Sequence, residues 1–377
     1  MKTSTHRILT THVGSLPRSK PVTDAVFAHE RGEPVDGADT IIAAAVKDVV
    51  RRQVDARVDI VSDGEMSKIS YATYIKDRIT GFDGDSPRRA PKDLEDFPGF
   101  LERQASGGGT PTYRRPCCVG PITVKSMQPL QDDLDNFAAA LDGADVVEGF
   151  MNAASPGVIA LFQPNSHYKT QEEYLHALAE AMRPEYEAIV AAGYVLQLDS
   201  PDLGLGKHMM FKDEPENYEA LATLHVEALN HALRNVPGDR VRMHICWGNY
   251  EGPHHHDAAM AEVMPVAFKA KPQGLLFENA NPRHNHEWVE VAALDIPDDK
   301  ILIPGVIDST TNFIEHPELV AQRIERFADI VGPERVIAGT DCGFSTFAGF
   351  GAVDEDIVYA KLETLAQGAD IASGRLF

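Results

Sequence analysis

An apolar run at residues 241–248, Val-Arg-Met-His-Ile-Cys-Trp-Gly, contains a histidine and a cysteine two positions apart. Side chains two apart in a β-strand point to the same face, so His244 and Cys246 can bind one metal ion. Glu278 and Cys342 each end a later apolar run. Two thiolates, one imidazole and one carboxylate form a tetrahedral ligand set that suits Zn²⁺. We therefore predict a zinc site built from these four residues.

Eight apolar, β-branched runs recur along the chain, and most of them are followed by a helical pattern. The predicted strands cover residues 8–12, 59–62, 158–162, 195–199, 241–246, 274–278, 301–306 and 336–340. The predicted helices cover residues 40–56, 130–141, 171–192, 217–234, 258–270, 317–331 and 355–372. This alternation is typical of parallel βα units. It predicts a single (β/α)₈ barrel domain over residues 1–377.

One region interrupts this rhythm. Residues 81–116 contain three consecutive glycines, several prolines and mixed charges, and are too long for an ordinary connection. A further short strand is predicted at residues 117–124. We predict an inserted hairpin or flap after the second strand–helix unit, over approximately residues 81–128, that is long enough to reach over the barrel mouth.

Composition excludes several classes of partner. The formal net charge is -22, whereas nucleic acids and anionic membranes are bound by basic surfaces. No apolar run approaches the roughly 18 residues that a membrane span needs, and the first residues lack a signal-peptide pattern. The chain has only 4 cysteines, so metal binding is a better interpretation than a disulfide framework. We expect a cytoplasmic enzyme for small molecules, with homo-oligomerisation left open.

Polar residues follow several predicted strands at the point where each strand ends. Ser15 follows the first strand, Glu65 follows the second and Asp199 ends the fourth. Each of them alone is more often a turn or capping residue. Catalytic groups of a (β/α)₈ barrel lie at the carboxyl ends of its strands. The convergence of these residues with the metal ligands on one rim therefore predicts a substrate site there.

The motifs along this rim, taken together, resemble the catalytic barrel of cobalamin-independent methionine synthase and its shorter relatives, the epoxyalkane:coenzyme M transferases among them. The resemblance runs from residue 10 to about residue 347 and rests on Gly14-Ser15-Leu16-Pro17, Asp63-Gly64-Glu65, Gln197-Leu198-Asp199, His244-x-Cys246, Glu278 and Asp341-Cys342-Gly343. It implies the barrel fold and zinc bound by His244, Cys246, Glu278 and Cys342. It also implies that Ser15, Glu65 and Asp199 hold the amino acid part of homocysteine.

One position departs from the larger methionine synthases. Their Asp-x-His-Ser stretch, whose histidine serves the methyltetrahydrofolate reaction, corresponds here to Asp308-Ser309-Thr310-Thr311. Because Thr310 replaces that histidine, the resemblance favours the short epoxyalkane:coenzyme M transferase type. The predicted reaction is attack of a zinc-activated thiolate on an epoxide. The alternative is a short methionine synthase that transfers a methyl group from a donor to homocysteine.

Further residues are candidates for this chemistry. Glu278, the hardest ligand, is the one expected to yield to an incoming thiol. Tyr250 or His255 could deliver a proton to the opening epoxide, although a histidine in a loop is more often solvated. An anionic tail of the thiol could be bound by Arg114, Arg115 or Lys207, with Arg18 and His208 as weaker candidates, although such side chains are more often surface charges.

Two other classes of protein share parts of this pattern. A non-catalytic barrel could hold a closed structural zinc, but the position of all four ligands at the catalytic rim opposes that interpretation. A decarboxylase on a related barrel needs no metal, and the four-ligand set opposes it. Resistance of the metal to added thiol, together with unfolding on its removal, would indicate the structural site.

Overall fold

The structure is a computed structural model that describes residues 1–87, 90–106 and 114–377. Its strands are β1 Leu9–Thr10, β2 Ile60–Val61, β3 Phe82–Asp83, β4 Cys117–Cys118, β5 Glu148–Ala154, β6 Val195–Asp199, β7 Val241–Ile245, β8 Gly274–Phe277, β9 Ile301–Ile307 and β10 Ile337–Thr340. Within these residues, eight strands form one parallel sheet in the order β1-β10-β9-β8-β7-β6-β5-β2. A parallel bridge between Thr11 and Ile60 joins its two ends. The predicted (β/α)₈ barrel is confirmed.

Helices surround this sheet. They are α1 Lys20–Glu30, α2 Ala38–Asp55, α3 Lys92–Glu95, α4 Pro98–Ser106, α5 Gln128–Leu141, α6 Pro156–Phe162, α7 Gln171–Ala191, α8 Pro201–Gly204, α9 Gly206–Met209, α10 Tyr218–Ala232, α11 Met260–Ala267, α12 Trp288–Ala292, α13 Pro317–Val331 and α14 Glu355–Leu376. Short 3₁₀ helices cover Thr73–Asp77, Pro215–Asn217, Gly238–Arg240 and Pro333–Arg335. None of the helices in the described ranges is long and apolar enough to cross a membrane.

The third barrel strand lies elsewhere than predicted. Residues 158–162 were expected to form it, but they belong to helix α6, and the strand is β5 at residues 148–154. Ser155 caps α6 by accepting a hydrogen bond from the Val158 N–H at 3.0 Å, and Pro156 suits the first helical turn. All seven residues of α6 are buried, so its apolar run has no polar face to reveal a helical period.

The inserted region contains an antiparallel pair of strands, β3 and β4, with α3 and α4 between them. It follows β2 and precedes α5, so it lies inside the second βα unit, whereas the prediction placed it after that unit. The predicted strand at residues 117–124 is limited to Cys117–Cys118. Gly107, Gly108 and Gly109 of the predicted flap lie outside the described residues.

Alternation along β7 sets which side chains enter the barrel. Arg242 is fully buried, stacks its guanidinium 3.7 Å from the centre of the Phe150 ring and donates to Gln197 Oε1 at 2.7 Å. Burial lowers the pKa of Arg242 to about 9. His244 and Cys246 follow at two-residue intervals on the same face. The strand therefore carries a buried cation two residues before His244 and four residues before Cys246, which directly follows the strand.

Candidate metal centre and substrate pocket

The first feature of the rim is a buried cluster of one imidazole and two thiols. Ligand atoms of His244, Cys246 and Cys342 all lie within 4.8 Å of one another, and the two sulfurs are 3.6 Å apart. Neither ring nitrogen of His244 has a hydrogen-bond partner in the described part of the chain. Buried polar atoms are almost always satisfied, so an orphaned imidazole between two thiols fits a bound cation. This donor set suits Zn²⁺.

Strand ends position these three residues. Cys246 follows β7 directly, and Cys342 lies two residues beyond the end of β10, where the Thr340 hydroxyl donates to the Cys342 carbonyl at 3.0 Å. The Gly248 N–H donates to the Cys246 sulfur at 3.2 Å. The Cys246 thiol, together with the imidazole of His244, lowers the pKa of Cys342 to about 6 despite burial. The cluster therefore favours an anionic sulfur even before a cation is considered.

Glu278, the fourth predicted ligand, is not in the group of atoms within 4.8 Å. Its Oε1 accepts from the Trp247 N–H at 2.9 Å, and its Oε2 accepts from Asn281 Nδ2 at 2.9 Å and forms an ion pair with Arg283. Burial is the largest influence on Glu278 and opposes its ionisation, but Arg283, His284 and the Trp247 N–H together outweigh it, so the pKa of the carboxyl is lowered. Both oxygens are thus held next to the cluster by groups other than a metal.

The turn that carries Glu278 is held by a second buried carboxylate. Asp341 accepts from the N–H groups of Asn279, Ala280 and Asn281 at 2.7–2.8 Å and from Asn281 Nδ2 at 2.7 Å. Burial, with the nearby Glu278 carboxylate, raises the pKa of Asp341 to about 7. Asp341 precedes Cys342 in the chain. It therefore couples the positions of Cys342 and Glu278.

Asp341 packs directly against Gly305, where the absence of a side chain makes space for its carboxylate. A Cβ atom at residue 305 would lie 2.0 Å from Asp341 Oδ1. We expect Gly305→Ala to lower the free energy of unfolding by about 1–3 kcal/mol, because the clash must move a buried loop. Chemical denaturation measures this change, and the zinc content should fall with it. Gly374→Ala in α14 is the control, since a Cβ there meets nothing within 4 Å; equal stability of both variants would contradict the packing argument.

Two buried carboxylates lie near the cluster: Asp199 adjoins His244, and Glu65 is close enough to Asp199 to influence its charge. The register of β6 and β7 pairs Asp199 with His244, and Asp199 accepts from Asn152 Nδ2 at 3.2 Å. Glu65 has a φ of 58°, which is unusual for a residue other than glycine and indicates local strain of a kind common at functional sites. Its Oε2 is buried with no hydrogen-bond partner in the described ranges. This oxygen is available to a ligand.

The charges of this pocket influence one another. Burial, together with the Asp199 carboxylate, raises the pKa of Glu65 to about 8, and burial also raises that of Asp199. The ammonium of Lys68 opposes both shifts; it is buried and donates to the Asn152 carbonyl at 2.7 Å. An additional cation in the pocket would stabilise both carboxylates in their ionised form.

Ser15 lies against the turn after Cys342. A Cβ atom at Gly343 would meet the Ser15 hydroxyl at 1.9 Å, and the Phe344 N–H donates to the Ser15 carbonyl at 2.9 Å. Arg18 donates to the carbonyls of Glu65 and Ser345 at 2.7 Å each. Arg18 therefore connects the loop that carries Glu65 with the loop that carries Ser345 through its guanidinium N–H groups. The structure brings the predicted Ser15, Glu65 and Asp199 to the rim around the thiol cluster.

The predicted anion-binding residues have other partners. Arg114, an exposed side chain, lies 3.1 Å from an Asp83 oxygen. Arg115 stacks 5.1 Å from the centre of the Phe162 ring. Lys207 donates to Glu262 at 2.6 Å. Arg114 and Lys207 would have to leave their partners to bind a substrate, whereas the buried Nε of Arg115 has no hydrogen-bond partner in the described part of the chain. The role of all three stays a prediction.

The predicted proton donors both contact the inserted segment. The Tyr250 hydroxyl donates to Asp93 at 2.9 Å, and His255 Nε2 lies 3.1 Å from an Asp96 oxygen. Thr310, at the position of the missing histidine, donates through both its N–H and its hydroxyl to Asp308 at 2.8 Å. The roles of Tyr250 and His255 in proton transfer remain predictions.

Sequence reasoning missed Lys68, Asn152 and Arg283 as parts of this site. Lys68 comes three residues after Glu65, and that short spacing was the available signal. Asn152 lies on β5, a strand that the sequence pattern did not predict. Arg283 follows Glu278 by five residues in a turn, where no period relates the two side chains.

Comparison with known proteins gives a consistent result. No family model matches the chain. The methionine synthase of Saccharolobus solfataricus is 26% identical over 369 residues, covering 97% of this chain and 95% of that protein. A methionine synthase of Saccharolobus islandicus is 28% identical over 374 residues, again covering 97% and 95%.

Solved structures share the fold. A B12-independent methionine synthase from Shewanella sp. W3-18-1, in complex with selenomethionine, superposes with a TM-score of 0.72 at 21% identity, covering 98% of this chain and 99% of that one. A putative vitamin-B12 independent methionine synthase from Listeria monocytogenes gives a TM-score of 0.68 at 21% identity with the same coverage. At this identity the superpositions support the barrel architecture.

Proposed function

We propose that this chain, which is 26–28% identical to methionine synthases over nearly its whole length, transfers a methyl group to the thiol of homocysteine or a closely similar amino acid. The observation that carries the proposal is the buried cluster of His244, Cys246 and Cys342 beside the buried carboxylates of Glu65 and Asp199. The cluster supplies the ligands for zinc, and the carboxylates supply charge partners for an ammonium group.

His244, Cys246 and Cys342 would hold the zinc, and the metal there would supply the positive charge that lowers the pKa of the substrate thiol, so that its proton is lost to solvent and the sulfur becomes nucleophilic. Glu278 is the proposed fourth ligand before the thiol arrives. Were the thiol to take that position, the Trp247 N–H, Asn281 and Arg283, which already contact the Glu278 carboxylate, would keep it paired. An ionised carboxylate released into a buried site would otherwise be strongly unfavourable.

The pocket charges favour an amino acid as the thiol substrate. Glu65 has an unpartnered buried oxygen, and Asp199 lies beside His244 in the register. An ammonium group would satisfy both carboxylates, whereas the sulfonate of coenzyme M would be repelled by them. The buried Lys68 donates to the Asn152 carbonyl at 2.7 Å and lies 4.5 Å from the centre of the Tyr74 ring, and within the described ranges it forms no close ion pair. Lys68 is therefore the proposed partner of the substrate carboxylate.

The epoxide reaction predicted first from the sequence has less support than its alternative. The relatives compared above are named methionine synthases, and the acidic pocket opposes a sulfonate. Thr310 stands where the larger synthases have the histidine that serves the methyltetrahydrofolate reaction. We therefore propose methyl transfer to the thiol without assigning methyltetrahydrofolate as the donor.

X-ray absorption at the zinc edge tests the direct contact between metal and thiol. We expect two sulfur ligands in the protein alone and three after homocysteine is added, with one oxygen ligand lost as Glu278 is displaced. Homoserine, which carries a hydroxyl in place of the thiol, is the matched control and should leave two sulfurs. Coordination that stays unchanged at saturating homocysteine would contradict the proposal.

A further inference from the structure

Two histidines and one aspartate lie together where the inserted segment meets the barrel. His255 Nε2 is 3.1 Å and His256 Nε2 is 2.6 Å from the same oxygen, Oδ2, of Asp96. The histidines belong to the loop after β7, and Asp96 directly follows α3. The three side chains therefore connect the loop after β7 with the inserted segment. None of them has a role in the function proposed above.

The spacing of these three atoms suits a small cation. The ligand atoms of the three side chains all lie within 4.8 Å of one another. Tetrahedral zinc with bonds of about 2.0–2.1 Å separates neighbouring ligand atoms by about 3.3 Å, so a bound cation would replace the two hydrogen bonds and move these atoms by less than about 1 Å. The Phe97 ring packs edge-on against His255 at 5.4 Å, and the two imidazoles lie 4.2 Å apart, so the rings are oriented by their neighbours. The three side chains are 36–42% exposed, which lets water complete the coordination.

Two other clusters offer similar residue types, but their carboxylates are already engaged. In the cluster of His176, Glu180 and His231, Glu180 also pairs with Arg234 at 2.9 Å. In the cluster of His286, Glu287 and Glu290, Glu287 accepts from the Met260 N–H at 3.0 Å. Asp96 has no ion pair with a lysine or arginine among the residues that the structure describes. Its carboxylate is therefore the best placed to bind a cation.

We propose that Asp96, His255 and His256 form a second divalent cation site, which takes a metal that imidazole binds well, such as Zn²⁺ or Ni²⁺. The cation would strengthen a contact that already exists, because the Tyr250 hydroxyl and the His254 N–H both donate to Asp93 at 2.9 Å. The loop that carries these groups begins just after Cys246. The cation would thus hold the inserted segment against the loop that leads from the sulfur cluster.

Titration calorimetry with Ni²⁺ on the zinc-loaded protein tests this site. We expect one Ni²⁺ to bind per chain, and Asp96→Asn and His256→Gln each to weaken that binding at least about tenfold. His231→Gln is the matched control from the other histidine cluster and should bind Ni²⁺ like the unmodified protein. The substituted side chains are all partly exposed, so the variants should fold.

Hydrogen exchange gives a second measurement. Ni²⁺ should slow exchange of the amides in residues 92–103 of the unmodified protein and have no such effect in His256→Gln. The same Ni²⁺ binding should persist in Cys342→Ala, which separates this site from the sulfur cluster. Absence of Ni²⁺ binding, equal binding by His256→Gln, or loss of binding in His231→Gln would each overturn the proposal.

Discussion

Cys342→Ala should lose most of the bound zinc and, with it, the activity. The substitution removes one of two thiolates from a site whose remaining sulfur lies only 3.6 Å away, and no other sulfur belongs to the described cluster. Removing a ligand should weaken zinc binding more than the 10–100-fold typical of changes to residues that only support ligands. Elemental analysis of the purified variant measures the loss. Cys246→Ala should behave in the same way.

Cys117→Ala and Cys118→Ala are the matched controls for this experiment. Both cysteines lie on β4, which pairs with β3 in the inserted region, and the Cys118 sulfur is 3.5 Å from the Gly120 carbonyl. Both variants should retain full zinc. Full zinc in Cys342→Ala would remove that residue from the metal site and contradict the ligand set on which the proposed reaction rests.

Asp199→Asn and Glu65→Gln should each weaken homocysteine binding by about 30-fold or more. A buried charge pair that loses one partner typically costs about 2–5 kcal/mol, and every 1.4 kcal/mol is a tenfold change. The amides keep the shape of the side chains but remove the charge partners of the ammonium group. Binding is measured by calorimetry on zinc-loaded protein, and zinc content must be unchanged, because Asp199 adjoins His244.

The same variants separate the two candidate thiols. Arg114→Met and Lys207→Met are controls that remove cations already paired with Asp83 and Glu262. They should leave homocysteine binding unchanged. If coenzyme M were the substrate, the pattern would reverse: the amide variants would bind it equally well or better, and the two cation variants would bind it less well. Tight binding of coenzyme M with no binding of homocysteine would end the methyl transfer proposal.

The contacts of Glu278 bear on how the site can exchange ligands. The Trp247 N–H, Asn281 and Arg283 hold its carboxylate beside the thiol cluster, and Asp341 holds the turn from which it extends. A carboxylate with two alternative sets of partners can leave a metal without remaining unpaired in a buried site. The arrangement therefore supports the proposal that Glu278 is a zinc ligand that the thiol displaces.

Local pattern was sufficient for much of the architecture. The predicted strand at residues 195–199 coincides with β6, because Gly193 precedes a short, fully buried run and Ser200-Pro201 ends it. The predicted helix at residues 317–331 coincides with α13, which begins after His316 at a proline and ends before Gly332. In both cases the signals that begin and end the element lie within a few residues of it.

The pattern failed where burial was uniform. β5 contains Gly149 and Asn152, two poor strand formers, and the helix α6 that follows is apolar throughout. Which of the two runs enters the sheet depends on pairing with β2 and β6, which are distant in sequence. Local propensity could not decide between them.

The sequence by itself determined the residue types of the site, the placement of His244 and Cys246 on one face of a strand, and the barrel that brings strand ends together. The tertiary structure alone decided that Arg283 pairs with Glu278, that Lys68 lies in the acidic pocket, and that Asp93 and Asp96 contact the loop after β7. The physical reason is that strand and helix periods relate side chains within one element. The partners of a buried charge come from wherever the fold brings a compensating group within reach, and no local period records that.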